Sequence, residues 1–230
     1  MKDARSLLDN LLGGAGGGVQ GAAGQAREAW GRQSGMTKAA IAAGLLGVLL
    51  GGKDTRRLAG SALKIGGAAA LGGLAYRAWQ DWQAGRDPTA TARMALPARD
   101  VVQGTAFLPA DPAAAEDLSA RLVRAMVAAV KADGHVTTQE RRRIGEHIAG
   151  LGLGAETEAL IAAELDAPLD PGRIAELARG PEEAAEIYAA SLLVVDPEAP
   201  AEQGYLAMLA ARLKLDPGLV AHLHARAAAG

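Results

Sequence analysis

The sequence predicts an all-α protein: a compact C-terminal helical domain preceded by a Gly/Ala-rich, helical, membrane-associated segment. Three observations lead there. Half of the residues are apolar but only 3% are aromatic, and Ala, Leu and Val carry the apolar content. That composition suits helices packed closely through small side chains better than an aromatic-rich β core. Apolar residues recur at helical spacing through the second half, and no strand-like alternation is sustained. Charge divides the chain: residues 1–110 hold 13 Lys/Arg against 7 Asp/Glu, and residues 111–230 hold 11 against 19, within a net charge of −2. A basic Gly/Ala-rich half beside an acidic helical half points to a membrane-facing segment and a solvated domain. The basic residues are scattered and carry no recognition motif, so nucleic acid is not an expected partner. Cysteine is absent, which excludes disulfides, thiol catalysis and cysteine-type zinc sites.

Residues 1–37 read as a flexible Gly-rich N-terminal region. MKDARSLLDNLL at 1–12 suits one short amphipathic helix, and GGAGGGVQGAAG at 13–24 has linker composition. Asp3 and Asp9 interrupt the start, which lacks the apolar run of a secretory leader. Residues 38–83 read as a membrane-associated helical hairpin. The segments AAIAAGLLGVLLGG at 39–52 and IGGAAALGGLAY at 65–76 are uncharged, and Lys53, Arg56, Arg57 and Lys64 lie between them. A simple span needs about 20 apolar residues, so each segment is short by itself. Flanking Lys and Arg can snorkel to lengthen the usable spans. Gly47 and Gly51 form a G-x-x-x-G pair, and Gly72 and Gly73 continue the spacing from Ala68 and Ala69. In lipid such spacing lets helix backbones approach closely. Tyr76, Trp79 and Trp82 come next, where an interfacial aromatic belt would fall, with Lys53, Arg56 and Arg57 as basic interface residues. Two other arrangements stay open: amphipathic helices lying in the interface, or buried, self-associating helices of a soluble protein. Basic residues flank the first segment on both sides, so no orientation is readable.

Residues 84–111 read as a linker, with Pro88, Pro97, Pro109, Gly85 and Gly104. Within it, Val101-Val102 and Phe107-Leu108 are short apolar patches suited to docking on a neighbouring surface. Residues 112–230 read as the helical domain. Asp111-Pro112 pairs an N-cap with proline at the first helical position, and the pair recurs at Asp170-Pro171, Asp196-Pro197 and Asp216-Pro217. The first helix is expected over 112–132, with Leu118, Leu122, Met126 and Val130 repeating every four residues and Val123 and Val127 widening the stripe. A tight turn at Asp133-Gly134 leads to a second helix over 138–150. Further helices are expected near 155–165, 171–179, 181–195, 200–213 and 217–228. Residues 126–148 and 188–210 share a helix, Asp turn, helix pattern, a hint of internal repetition.

The text V-x-A-x-K-A-D-G-H-V-T-x-x-E-R-x-x-I around 127–144 resembles the TerB-like domain, named for tellurite-resistance proteins. The layout of the whole chain, with LGGLAYRAWQ at 71–80 and ADGHVTTQE at 132–140, is similar to the YebE-like family of inner-membrane proteins of unknown function. That resemblance implies an all-helical C-terminal domain, a place at the inner (cytoplasmic) membrane with that domain in the cytoplasm, and a link to stress response. It also implies a divalent metal held by acids of the turn, matched here by Asp133 and Glu140. The second Asp turn has Pro197 where the first has Gly134, which weighs against an equivalent second site.

Read from the residues, Asp133 and Glu140 suit a hard cation such as Ca²⁺ or Mg²⁺. The loop is not an EF-hand, because Ile144 stands where the bidentate Glu would be. Thr137 and Glu140 also form a capping box, which accounts for Glu140 without a metal. Arg141, Arg142 and Arg143 are consecutive and cannot share one helix face. His222 and His224 are two apart and diverge on a helix, unlike a zinc pair. No G-x-S-x-G and no phosphate loop is present. The expected function is therefore a membrane-tethered, non-enzymatic interaction or metal-sensing module whose partners are the lipid bilayer and a protein or a second copy. The alternative is a soluble divalent-metal-binding stress protein that self-associates through its Gly/Ala-rich segments.

Overall fold

The computed structural model describes residues 68–132, 142 and 155–229. Helices account for every regular element among these residues, as the composition predicts. In chain order they are α1 (Ala68–Gln83), α2 (Pro88–Thr91), α3 (Arg99–Val102), α4 (Pro112–Val130), α5 (Ala155–Asp166), α6 (Pro171–Ala175), α7 (Pro181–Leu192), α8 (Pro200–Arg212) and α9 (Pro217–Ala229).

Aspartates start several of them. Asp87 accepts from the Thr89 and Ala90 amides, Asp111 from Ala114, and Asp170 from Gly172 and Arg173, each followed by proline inside the first turn. Each bond satisfies an amide that the helix itself leaves without a partner. Asp196-Pro197 departs from the expectation. α8 begins at Pro200 with Ala199 at its N-cap, and the Asp196 side chain instead accepts from the Glu198 amide at 2.9 Å inside the turn.

Helix α7 is the centre. Its residues Ala184 to Leu192 are all buried, and α1, α4, α8 and α9 pack around it. α4 presents the expected stripe: Leu118, Leu122, Val123, Met126, Val127 and Val130 are all buried. α5 and α6 lie against α4, and α6 also meets α8. Tyr188, Tyr205, Leu209, Leu219 and Leu223 fill the remaining core.

Two boundaries expected from the sequence shift. The first concerns residues 68–83, the described part of the segment read as a membrane-associated hairpin over 38–83. α1 packs on α7 and α9, burying Leu71, Ala75 and Ala78. Residues 84–111, read as a linker, are the second. They fold over α1 and α9 as α2, α3 and a turn closed by the Thr105–Leu108 bridge. Val102, Phe107 and Leu108 are buried, so the short apolar patches do dock, and Val101 alone stays exposed. Gly85 (φ +63°) and Gly104 (φ +85°) supply the left-handed turns that this path needs. Among the described residues, the helical body therefore includes 68–111 together with the helices from 112 onward. Among the described residues, no helix is long and apolar enough to cross a membrane.

Candidate functional site

The chemistry among the described residues concentrates where α1 meets the rest of the body. Asp81 is 0% exposed and sits in the last turn of α1. Its carboxylate accepts from Arg226 of α9 at 2.7 Å, from Arg86 at 2.7 Å and from Arg77, one turn back, at 3.2 Å. Arg226 is itself buried and also donates to the carbonyls of Thr91 (2.8 Å) and Met94 (3.2 Å). Burial alone would raise the Asp81 carboxyl. The donations from Arg226, Arg86 and Arg77 together outweigh it and hold the group down at about 2. The cluster ties three separate stretches, α1, the 84–94 segment and α9, through one anion.

His222, one turn before Arg226, continues the tie. Its two ring nitrogens lie 2.8 Å from the Gly218 carbonyl and 3.0 Å from the Arg86 carbonyl. At the start of α9, Asp216 accepts from the Gly218 amide at 2.7 Å and from the Trp82 indole at 3.1 Å. His224 points elsewhere, to the Tyr188 hydroxyl at 2.8 Å, so the two histidines diverge as expected and form no ligand pair.

The aromatics expected at a lipid interface are partly buried and have protein neighbours. Tyr76 meets Phe107 edge-on with centroids 5.7 Å apart, Trp79 lies 5.2 Å from Trp82, and all three pack against the core. Gly72 is a close-packing residue, as its spacing suggested, but its partner is the 105–108 turn. A Cβ there would lie 2.5 Å from the Phe107 carbonyl oxygen. Gly73 is less constrained, with Pro97 at 3.9 Å from its Cβ position. Asp133, Glu140, Lys53, Arg56, Arg57, Gly47 and Gly51 lie outside the described residues. Among the described residues no group of three metal-ligating side chains converges. In the second Asp turn, the Glu202 carboxylate accepts from the Asp196 amide, so these two acids close the turn ahead of α8, whose N-cap Ala199 has no side-chain bond.

Two polar devices escaped the sequence reading. Lys131, two residues before Asp133, is buried and donates to the Glu164 and Ala167 carbonyls at the end of α5. A cation at that end suits the helix dipole. Arg121 of α4 joins Asp117 at 2.8 Å and Glu183 of α7 at 3.0 Å, and Arg179 also reaches Asp117. The spacing of Asp117 to Arg121 and of Arg77 to Asp81, four residues in each case, is the signal that a helical reading could have used.

Among the described residues, these features define an all-helical body with a buried ionic lock at α1 and no group of three metal-ligating side chains. The model of a family described as protein of unknown function, DUF533, matches residues 35–227, and the chain belongs to this family. A Yersinia enterocolitica protein, described as an uncharacterized protein in the ampR 5′ region, is 38% identical over 95 residues. The match covers 41% of this chain and 68% of that one. No solved structure matches the chain.

Proposed function

We propose that the chain is a membrane-tethered, non-enzymatic helical module in which residues 39–66 engage lipid and the helical body presents an interaction surface. The observation that carries this reading is the position of α1. Tyr76, Trp79 and Trp82 are partly buried against the body, which favours the residues before Ala68 for lipid contact. There the uncharged run 39–52 remains, with Lys53, Arg56 and Arg57 directly after it. Fourteen helical residues rise about 21 Å, against a hydrocarbon core of about 30 Å. Such a run inserts part way or lies in the interface, with the basic residues at headgroup level.

Fractionation of cells tests the tether. The full chain is expected in the membrane fraction at both low and high salt, and a chain lacking 39–52 in the soluble fraction. Recovery of the full chain in the soluble fraction at low salt would defeat the reading.

A divalent cation at Asp133 and Glu140 is the second part of the proposal. It is supported by the resemblance of the turn to TerB-like domains and by Lys131, which connects the entrance of that turn to the end of α5. Calorimetric titration of the full chain in mild detergent with Ca²⁺, Mg²⁺, Mn²⁺ and Zn²⁺ should give saturable heat with one of them. Absence of heat with all four removes the metal from the reading.

A further inference from the structure

Helix α7 is buried on every side from Ala184 to Leu192, and one of those residues is an acid. Glu186 is 0% exposed, and neither of its carboxyl oxygens has a hydrogen-bond partner. The neighbour that makes room for it belongs to α1. The Cβ position of Gly72 lies 3.4 Å from Glu186 Oε1, so any larger residue there would press on the carboxyl as well as on the Phe107 carbonyl.

The charged groups acting on Glu186 are Glu183, almost one turn earlier on the same helix, and Arg121 from α4. Among the described residues, α1, α8 and α9 bring no charge to it. Arg121 forms ion pairs with Glu183 and Asp117, two acids less buried than Glu186, while its Nε and Nη1 make no hydrogen bond. Burial pushes the Glu186 carboxyl well above the usual range, Glu183 raises it further, and Arg121 opposes both. An ionised carboxylate without donors is far costlier to bury than the neutral acid, so the proton stays with the group while α1 is seated.

We propose that Glu186 is a proton-dependent latch for α1: the helix seats on α7 while Glu186 carries its proton, and losing that proton releases α1 from α7. The inference stands whether or not residues 39–66 meet a membrane. The sign follows from linkage. The seated state binds the proton more tightly, so its advantage is complete below the ordinary carboxyl value of 4.5. Above that value the seating equilibrium weakens about tenfold per pH unit, until the raised value is passed and the contribution is lost.

The emission of Trp79 and Trp82, both on α1, reports seating, and hydrogen exchange of the 68–83 peptide gives the opening equilibrium. Both are measured on the full chain between pH 5 and pH 9, with exchange corrected for its intrinsic pH dependence. In the wild type, α1 opening should rise with pH by up to about tenfold per unit while α4 stays protected. Glu186→Gln should flatten that rise and unfold later than the wild type at pH 8. Parallel profiles for the two chains would overturn the latch. So would a less stable Gln variant at pH 8, which would mean an ionised Glu186 paired with Arg121. Should Glu186→Gln fail to fold, Glu186→Met serves in its place. The protonated-carboxyl infrared band of the wild type, followed over the same pH range, decides independently. Its loss together with the Trp shift supports the latch; its loss in the ordinary carboxyl range, well before the Trp shift, defeats it.

Discussion

Asp81→Asn separates the charge of the lock from its shape. The amide has the same size and can still accept one hydrogen bond, but it no longer neutralises Arg226, whose side chain is 2% exposed. Removing one partner of a buried pair costs about 3–5 kcal/mol, because a buried charge is left uncompensated. Arg226 keeps the Thr91 and Met94 carbonyls, which places the expected loss near the lower end, about 3 kcal/mol. For a body of this size each kcal/mol moves the melting temperature by roughly 2–4 °C, so a drop of roughly 6–12 °C is expected. An acid series gives a second, independent reading. Asp81 is held at about 2 against an ordinary 3.8. A shift of one unit is worth about 1.36 kcal/mol, and Arg86 is half exposed, so solvent screening brings the contribution to about 2 kcal/mol at most. Because the folded value is depressed, this stability is present above pH 3.8 and lost as pH falls toward 2. Urea unfolding of the full chain in mild detergent, at pH 7 and at pH 2.5, measures both effects. The wild type should lose its advantage over Asp81→Asn on acidification. A variant within about 0.5 kcal/mol of the wild type at pH 7, the range of an ordinary surface change, would refute the lock as a stabilising device. So would two chains with the same acid loss.

Gly72→Ala places a methyl carbon 2.5 Å from a backbone oxygen that cannot rotate away. The overpacking should cost about 1–3 kcal/mol by the same urea assay, although alanine is the better helix former at an exposed position. Asp111→Ala removes the acceptor of the Ala114 amide at 2.8 Å and should cost about 1 kcal/mol, with the loss appearing first as faster amide exchange in the opening turn of α4.

The parts of this fold that local chemistry dictates were legible in the sequence. Asp-Pro pairs mark the starts of α4, α6 and α9 because a cap and a missing amide act within three residues. The α4 stripe needed only periodicity. What local chemistry could not supply was the destination of each buried group. Asp196-Pro197 has the same two residues as a helix start, yet its aspartate closes a turn, because Glu202 takes the Asp196 amide and α8 begins later. Glu186 is surrounded in sequence by AAEIYAAS, which reads as an ordinary helix with one polar side. Only the packing of four helices around α7 removes that side from water.

Helix α1 shows why the medium is harder to read than the helix. Gly72 lets another backbone approach closely and Ala75 and Ala78 are buried on the same helix, and small residues pack equally well in lipid and in a protein core. The aromatic trio is equally neutral, since an amphipathic ring serves a headgroup layer or a packed edge. The discriminating residues are the charged ones. Arg77 and Asp81 stand four apart, and Asp81 continues the buried line of Leu71, Ala75 and Ala78 at helical spacing. A snorkelling side chain needs water within reach, and aspartate is too short to find it from a buried position. A buried aspartate demands donors fixed in place, and no residue of α1 other than Arg77 supplies one. The donors come from Arg86 and from Arg226, separated from Asp81 by 145 residues, so committing that acid to the interior commits α1 to the body.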